Sequence, residues 1–88
     1  MIRRHTSFTG CVQGVGFRYR ARHAASLYGC TGWVKNEWDG SVTMEIQGRP
    51  EDIHRVILAI QAGRYVEIEK MVVEEIALED ERGFRTEH

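Results

Sequence analysis

Between Ser41 and Gln47 apolar and polar residues alternate strictly, with Val42, Met44 and Ile46 on one side and Thr43, Glu45 and Gln47 on the other. A period of two is the mark of a half-buried strand. Thr31-Gly32-Trp33-Val34-Lys35-Asn36 reads as a second strand, joined to the first through Asn36-Glu37-Trp38-Asp39-Gly40, where Asp-Gly is a strong hairpin signal. The period becomes helical at two places. Phe17, Ala21, Ala24, Ala25 and Tyr28 form an apolar stripe over Arg18–Tyr28, stopped by Gly29. Ile53, Val56, Ile57 and Ile60 form another, opening at Arg49-Pro50-Glu51-Asp52, where proline suits the first turn and acids suit the helix dipole, and ending at Gly63. This second stripe is expected to be core, and Trp33 to pack beneath the first helix.

The pattern is weaker toward the ends. Residues 3–10 make a poor strand, although Thr6, Phe8 and Gly10 can share a face. Val66 and Ile68 alternate in one phase and Met71 and Val73 in the other, so a bulge near Glu69-Lys70 would keep all four inward. Ile76–Glu81 is acidic and expected to turn in solvent, and Gly83-Phe84-Arg85 to add a short edge strand. No repeat, linker or low-complexity segment interrupts the chain.

The order β-α-β-β-α-β predicts an α+β fold: a ferredoxin-like split βαβ sandwich (βαββαβ), mostly antiparallel, with two helices on one face, as a single domain over 1–88. The first two strands are linked by a crossover helix and so run parallel. Their C-terminal ends reach the same edge of the sheet, which brings the glycine-rich stretch after the first strand close to Asn36.

With 88 residues, such a domain buries only about 60 to 65% of its unfolded surface, leaving no room for a large internal cofactor. The composition is that of an ordinary soluble globular chain. No apolar run is long enough to span a membrane, and Met1–His5 leads into no signal-peptide core, so a cytoplasmic protein is expected. Cys11 and Cys30 show neither CxxC nor Cys/His ligand spacing, and no metal is implied. A helix of the predicted length holds them about 16 Å apart, beyond the reach of a disulfide, so two free thiols are expected. Net charge is −1, but its distribution is lopsided. Residues 1–36 carry Arg3, Arg4, Arg18, Arg20, Arg22 and Lys35 and no acid, whereas all 13 acids lie in 37–88. The N-terminal part is suited to receive something negative.

Gly10-Cys11-Val12-Gln13-Gly14-Val15-Gly16-Phe17-Arg18 offers the means. Glycines permit the close backbone approach an anion needs, and a helix starting near Arg18 directs free N–H groups and its positive dipole end to the same spot. The stretch reads as a phosphate cradle over Gln13, Gly14, Val15, Gly16, Phe17 and Arg18. It lacks the Lys-Ser/Thr of a nucleotide P-loop and the later acid of a dinucleotide fold. Arg18 supplies a planar fork matched to two phosphoryl oxygens, and Asn36 a donor and an acceptor that can hold a water without acting as a base. No general acid is in the set. Phosphoryl transfer by positioning and electrostatics alone requires a leaving group that departs unaided, such as a carboxylate whose conjugate acid has a pKa of about 4. Mixed anhydrides of a carboxylic acid and phosphate fit that requirement.

The same loop, followed by Gly32-Trp33-Val34-Lys35-Asn36 and Asp39-Gly40-Ser41-Val42, resembles the two signature motifs of the small acylphosphatases. The match is dense over residues 4–48 and rests on pattern beyond. The resemblance implies hydrolysis of acyl phosphates to carboxylate and inorganic phosphate without metal or cofactor, with Arg18 binding phosphate and Asn36 orienting the attacking water. Three positions depart from the family pattern: Cys11 where a basic residue is usual, Trp38 in a turn that is usually smaller, and Arg64 where proline is common. Cys11 weakens the positive field beside the loop. Trp38, two residues from Asn36, is expected to line the acyl side of the site.

Other residues read more plainly. Arg20 and Arg22 are expected on the solvated helix face, and His5, His23, His54 and His88 on the surface, without partner spacing for a triad or a metal. A nucleic-acid module would show aromatics on its central strands, which Val42-Thr43-Met44-Glu45-Ile46 lacks. A non-catalytic phosphate- or carbamoyl-phosphate-binding module of this shape is the second alternative, disfavoured because no zinc-finger cysteines accompany it. The expected partner is a small acyl phosphate, with no nucleic acid and no membrane, and a monomer is the expected state.

Overall fold

The computed structural model describes residues 1–87. His88, expected at the surface, lies outside the described residues. The elements are β1 (Ile2–Cys11), α1 (Phe17–Leu27), β2 (Thr31–Asn36), β3 (Val42–Gly48), α2 (Pro50–Gln61), β4 (Glu67–Ile76) and β5 (Phe84–Glu87). The sheet order is β4-β1-β3-β2-β5. β1 pairs antiparallel with both β3 and β4, β2 antiparallel with β3, and β5 adds parallel to β2. The α+β, ferredoxin-like prediction holds, including the terminal edge strand.

The core lies between the sheet and the two helices. Phe8, Val34, Val42, Met44 and Ile46 meet Phe17, Ala21, Ala24 and Ala25 of α1 and Ile53, Val56 and Ile60 of α2, all buried. The phase change in β4 is real. Thr9 pairs with Lys70 but Gly10 with Ile68, so Glu69 is the extra residue. Gly10 permits this close approach, since a Cβ there would stand 2.3 Å from the Glu67 carbonyl oxygen. Met71 and Val73 share the helix side of the sheet with their partners Phe8 and Thr6, as predicted. They are not inward in the sense of burial, being 41% and 45% exposed, because the helices pack mainly over β3, β2 and β5 and leave the β4 edge uncovered.

The opposite face of the sheet corrects three further expectations. Of Ile76–Glu81, Ile76 closes β4 and Ala77–Asp80 are solvent-exposed as expected, but 77–83 is tied across this face as a strap and does not turn freely. Glu79 exchanges two backbone hydrogen bonds with the Gln47 side chain, whose Nε2 donates to the Glu79 carbonyl (3.0 Å) and whose Oε1 accepts from the Glu79 N–H (2.9 Å). Arg3, fully buried, forms ion pairs with Glu45 (3.1 Å), Glu79 (2.9 Å) and Glu81 (2.8 Å). Part of the N-terminal positive charge therefore serves the chain's own acids. His5 is likewise engaged, its Nδ1 2.8 Å from Glu45. Trp33 pairs with Glu45 and meets His5 edge-on at 6.4 Å, which puts its ring on this face and away from α1. An alternating pattern fixes which residues share a face, not which face it is.

Candidate active site

Sheet register brings the two ends of the site together. Val42 has Phe8 as its neighbour on β1 and Asn36 on β2, so all three side chains stand on the helix side, at the edge where the chain leaves β1 for α1. The intervening loop is pinned at both ends. Val12 is buried in the core, and Phe17 is buried with its ring edge-on to Phe8 at 4.9 Å. Between them Gly14 (φ 72°) and Gly16 (φ 82°) take left-handed conformations that favour glycine. Gly16 caps α1 with no side-chain hydrogen bond, and no acid occupies the helix's first turn. The first intrahelical bond runs from Arg20 N–H to the Gly16 carbonyl at 3.0 Å, leaving the N–H groups of 17–19 ahead of it without helical partners.

These groups border a cavity of about 190 Å3 lined by Val12, Gly14, Gly16, Phe17, Arg18, Tyr19 and Asn36. Among the described residues Arg18 makes neither an ion pair nor a side-chain hydrogen bond, and no carboxylate, imidazole or thiol lines the cavity. Asn36 Oδ1 is buried with no hydrogen-bond partner. A buried acceptor left unpaired is rare and commonly marks the place of a water or ligand. A helix N-terminus, a free guanidinium and the Asn36 side chain thus border one small space, which can hold an anion and a water.

Of the residues expected to bind phosphate, Gly14, Gly16, Phe17 and Arg18 line the cavity together with Asn36, but Gln13 and Val15 do not. Val15 packs against the core. Gln13 is a brace: its Nε2 donates to the carbonyls of Glu37 (2.7 Å) and Ser41 (2.8 Å), tying the loop to the turn that follows Asn36. That turn is further held by Asp39, whose carboxylate accepts from the Ser41 hydroxyl (2.6 Å) and N–H (3.0 Å). Those hydrogen bonds, the hydroxyl's foremost, hold Asp39 below the usual carboxylate range. Trp38, at the tip of the turn, is 98% exposed and lines neither this cavity nor the two recesses beside it, contrary to expectation. Arg20 is not simply solvated either, since its Nη1 donates to the Ala59 carbonyl of α2 at 3.2 Å.

Sequence reasoning missed Val12 and Tyr19 as lining residues. For Tyr19 a signal exists: an aromatic on the polar side of the predicted helix, directly after the loop arginine, has no core to enter. Cys11 is exposed and Cys30 buried, and neither is bridged, as expected.

Comparison with known proteins shows the family. The acylphosphatase family model matches residues 4–86. The chain belongs to the acylphosphatase family. An acylphosphatase of Geobacillus thermodenitrificans is 41% identical over 87 residues, covering 97% of this chain and 93% of the relative. The crystal structure of acylphosphatase from Bacillus subtilis superposes with a TM-score of 0.91 at 30% identity, with complete coverage of both chains. Full-length HypF in a phosphate- and nucleotide-bound form contains a similar unit, with a TM-score of 0.88 and 28% identity over 99% of this chain but only 12% of HypF. At the level of the family, the chain is an enzyme that hydrolyses acyl phosphates.

Proposed function

We propose that the cavity at the α1 N-terminus is a metal-independent acylphosphatase site in which Arg18 binds the phosphoryl group and Asn36 orients the attacking water. The observation that carries the reading is that Asn36, whose buried Oδ1 has no hydrogen-bond partner, lines the same cavity as the unpaired Arg18. Backbone N–H groups of the loop and helix start at Gly14, Gly16 and Phe17, with the Arg18 guanidinium, hold the phosphoryl oxygens and stabilise the charge they carry as the bond to the leaving oxygen breaks. Asn36 Oδ1 accepts a hydrogen bond from the water, aiming its oxygen at phosphorus. The water oxygen forms the new P–O bond, the acyl C–O–P linkage breaks at phosphorus, and its electron pair leaves on the carboxylate. The water's protons pass to inorganic phosphate and solvent. A carboxylate needs no acid to leave, which suits a cavity lined by no carboxyl, imidazole or thiol.

The working unit is taken to be a cytoplasmic monomer acting on a small acyl phosphate. A nucleic-acid module loses support, because the outer sheet face it would use is crossed by the strap and filled by Arg3, Glu45 and Gln47. The test is hydrolysis of benzoyl phosphate, followed by ultraviolet absorbance with a chelator present. Arg18→Ala and Asn36→Ala, each folded by circular dichroism, are expected to lose about 100- to 1000-fold in rate. Phosphate binding without turnover by the unaltered protein would make the domain a binding module instead.

A further inference from the structure

Beside the cradle runs a groove of about 300 Å3 between the helices, lined by Gly16, Tyr19, Arg20, His23, Ala24 and Ala59. It shares Gly16 and Tyr19 with the cradle and lacks Asn36. Tyr19 is 71% exposed, yet its ring is oriented: it lies nearly parallel to that of His23, one helical turn on, at an interplanar angle of 12° with centroids 6.1 Å apart. The hydrogen bond from Arg20 to the Ala59 carbonyl joins the two sides of the groove. An exposed aromatic held in this way beside an anion site presents a flat apolar surface with nothing upon it.

We infer that this groove receives the acyl group of the substrate and that Tyr19 sets a preference for flat, aromatic acyl groups; the inference rests on the acyl phosphate reading of the cradle. Displacement at phosphorus places the attacking water and the leaving oxygen roughly in line on opposite sides. With the water at Asn36, the acyl group departs on a side that Asn36 does not line. A second recess, about 270 Å3, also lacks Asn36, but Arg18, Tyr19, Arg22 and Thr86 line it. Two guanidiniums and a hydroxyl suit a further anion. The groove's one guanidinium, Arg20, is instead engaged with the Ala59 carbonyl, and the groove offers Ala59 and the rings of Tyr19 and His23, against which an aromatic acyl group can stack. Tyr19 is thus a specificity residue for the leaving half of the substrate.

The experiment compares kcat/KM for benzoyl phosphate and acetyl phosphate in the intact chain and its variants, with folding verified by circular dichroism. Tyr19→Ala is expected to lower the benzoyl-to-acetyl ratio about tenfold, the scale of an aromatic contact with its buried area. Tyr19→Phe, which keeps the ring, is expected to hold the ratio within about twofold. Tyr65→Ala, an exposed tyrosine outside the site, is expected to change neither value. A ratio unmoved by Tyr19→Ala overturns the inference, as does a ratio that falls in Arg22→Ala but not in Tyr19→Ala, which would put the acyl group in the recess. If the unaltered protein hydrolyses neither compound, the acyl phosphate reading fails first, a result distinct from turnover with an unmoved ratio.

Discussion

Gln13 and Glu37 are 24 residues apart in sequence, yet the side-chain amide of one donates to the main-chain carbonyl of the other at 2.7 Å. The same nitrogen reaches the Ser41 carbonyl, so one amide group locks the loop that carries Arg18 to the strand end that carries Asn36. The proposed chemistry needs those two groups held in fixed relation, since small misplacements of reacting groups can lower rates by about 100-fold. Gln13→Leu is expected to lower kcat at least tenfold with a smaller change in KM, since the cradle's own N–H groups remain. Two carbonyls would lose their donor, and denaturant unfolding should report a loss of about 1 to 3 kcal/mol. A rate loss that follows stability alone, and disappears on cooling, would count against the brace.

Gly16 tests the loop in a different way. A Cβ at this position would meet nothing within 4 Å, so a substitution is opposed by backbone conformation and not by crowding. Its φ of 82° lies in the left-handed region. Gly16→Ala should therefore remain folded, lose about 1 to 2 kcal/mol by denaturant unfolding, and bind inorganic phosphate more weakly as a competitive inhibitor. Unchanged phosphate inhibition would show that the loop tolerates another conformation.

The strap makes stability sensitive to acid. Burial alone would push the Glu81 carboxyl up, but hydrogen bonds from Arg3 and Arg85 outweigh it and hold Glu81 below the usual carboxylate range. Glu45 behaves alike, with burial opposed by His5 and Arg3. A carboxyl lowered in the folded state contributes stability that is complete above its unfolded pKa, about 4.3, and lost as pH falls through the folded value. Melting temperature should fall steeply below about pH 4.3, and less steeply in Glu81→Gln, which starts lower. In Arg3→Met, three carboxylates lose a buried cation, and a loss of about 3 kcal/mol is expected at neutral pH. Equal acid slopes in Glu81→Gln and the unaltered protein would remove the strap from the explanation.

The thiols should separate cleanly by reactivity. Burial, aided by the charge of Asp52, pushes the Cys30 thiol up to about 11, whereas Cys11 is exposed. Only the thiolate reacts with disulfide reagents. One thiol per chain is expected to titrate rapidly under native conditions and the second only in denaturant. Two fast thiols would show that the packing of Cys30 against Gly48 opens readily.

The elements with strong periodicity, β2, β3, α1 and α2, were legible in the sequence because each buries one face along its whole length. The candidate site was legible for another reason: the loop glycines, Arg18 and Asn36 lie in short stretches whose backbone geometry is local, which leaves a compact motif. The strap left no such mark. Arg3 and Glu81 are 78 residues apart, and a side-chain pairing across that span has no period to betray it. Pattern alone puts Trp33 on the wrong face because Trp33 and Val34 are both apolar and adjacent, and only one of them can face the helices, which is Val34. Met71 and Val73 revealed their side of the sheet, but whether a helix reaches over an edge strand depends on packing elsewhere. Gln13 looked like a ligand because it lies in the motif, and only the third dimension shows its amide turned toward the hairpin.

β4 bears on how molecules of this protein meet one another. Its outer edge has no neighbouring strand, and Met71, Val72 and Val73 stand exposed along it. Such an edge is a template for intermolecular β-pairing and aggregation. The three residues are flanked by Glu69 and Lys70 on one side and by Glu74 and Glu75 on the other. An approaching copy that aligned its own edge in parallel register would bring Glu67, Glu69, Glu74 and Glu75 against their own counterparts, and the flanking charges act as gatekeepers of an edge the helices leave open.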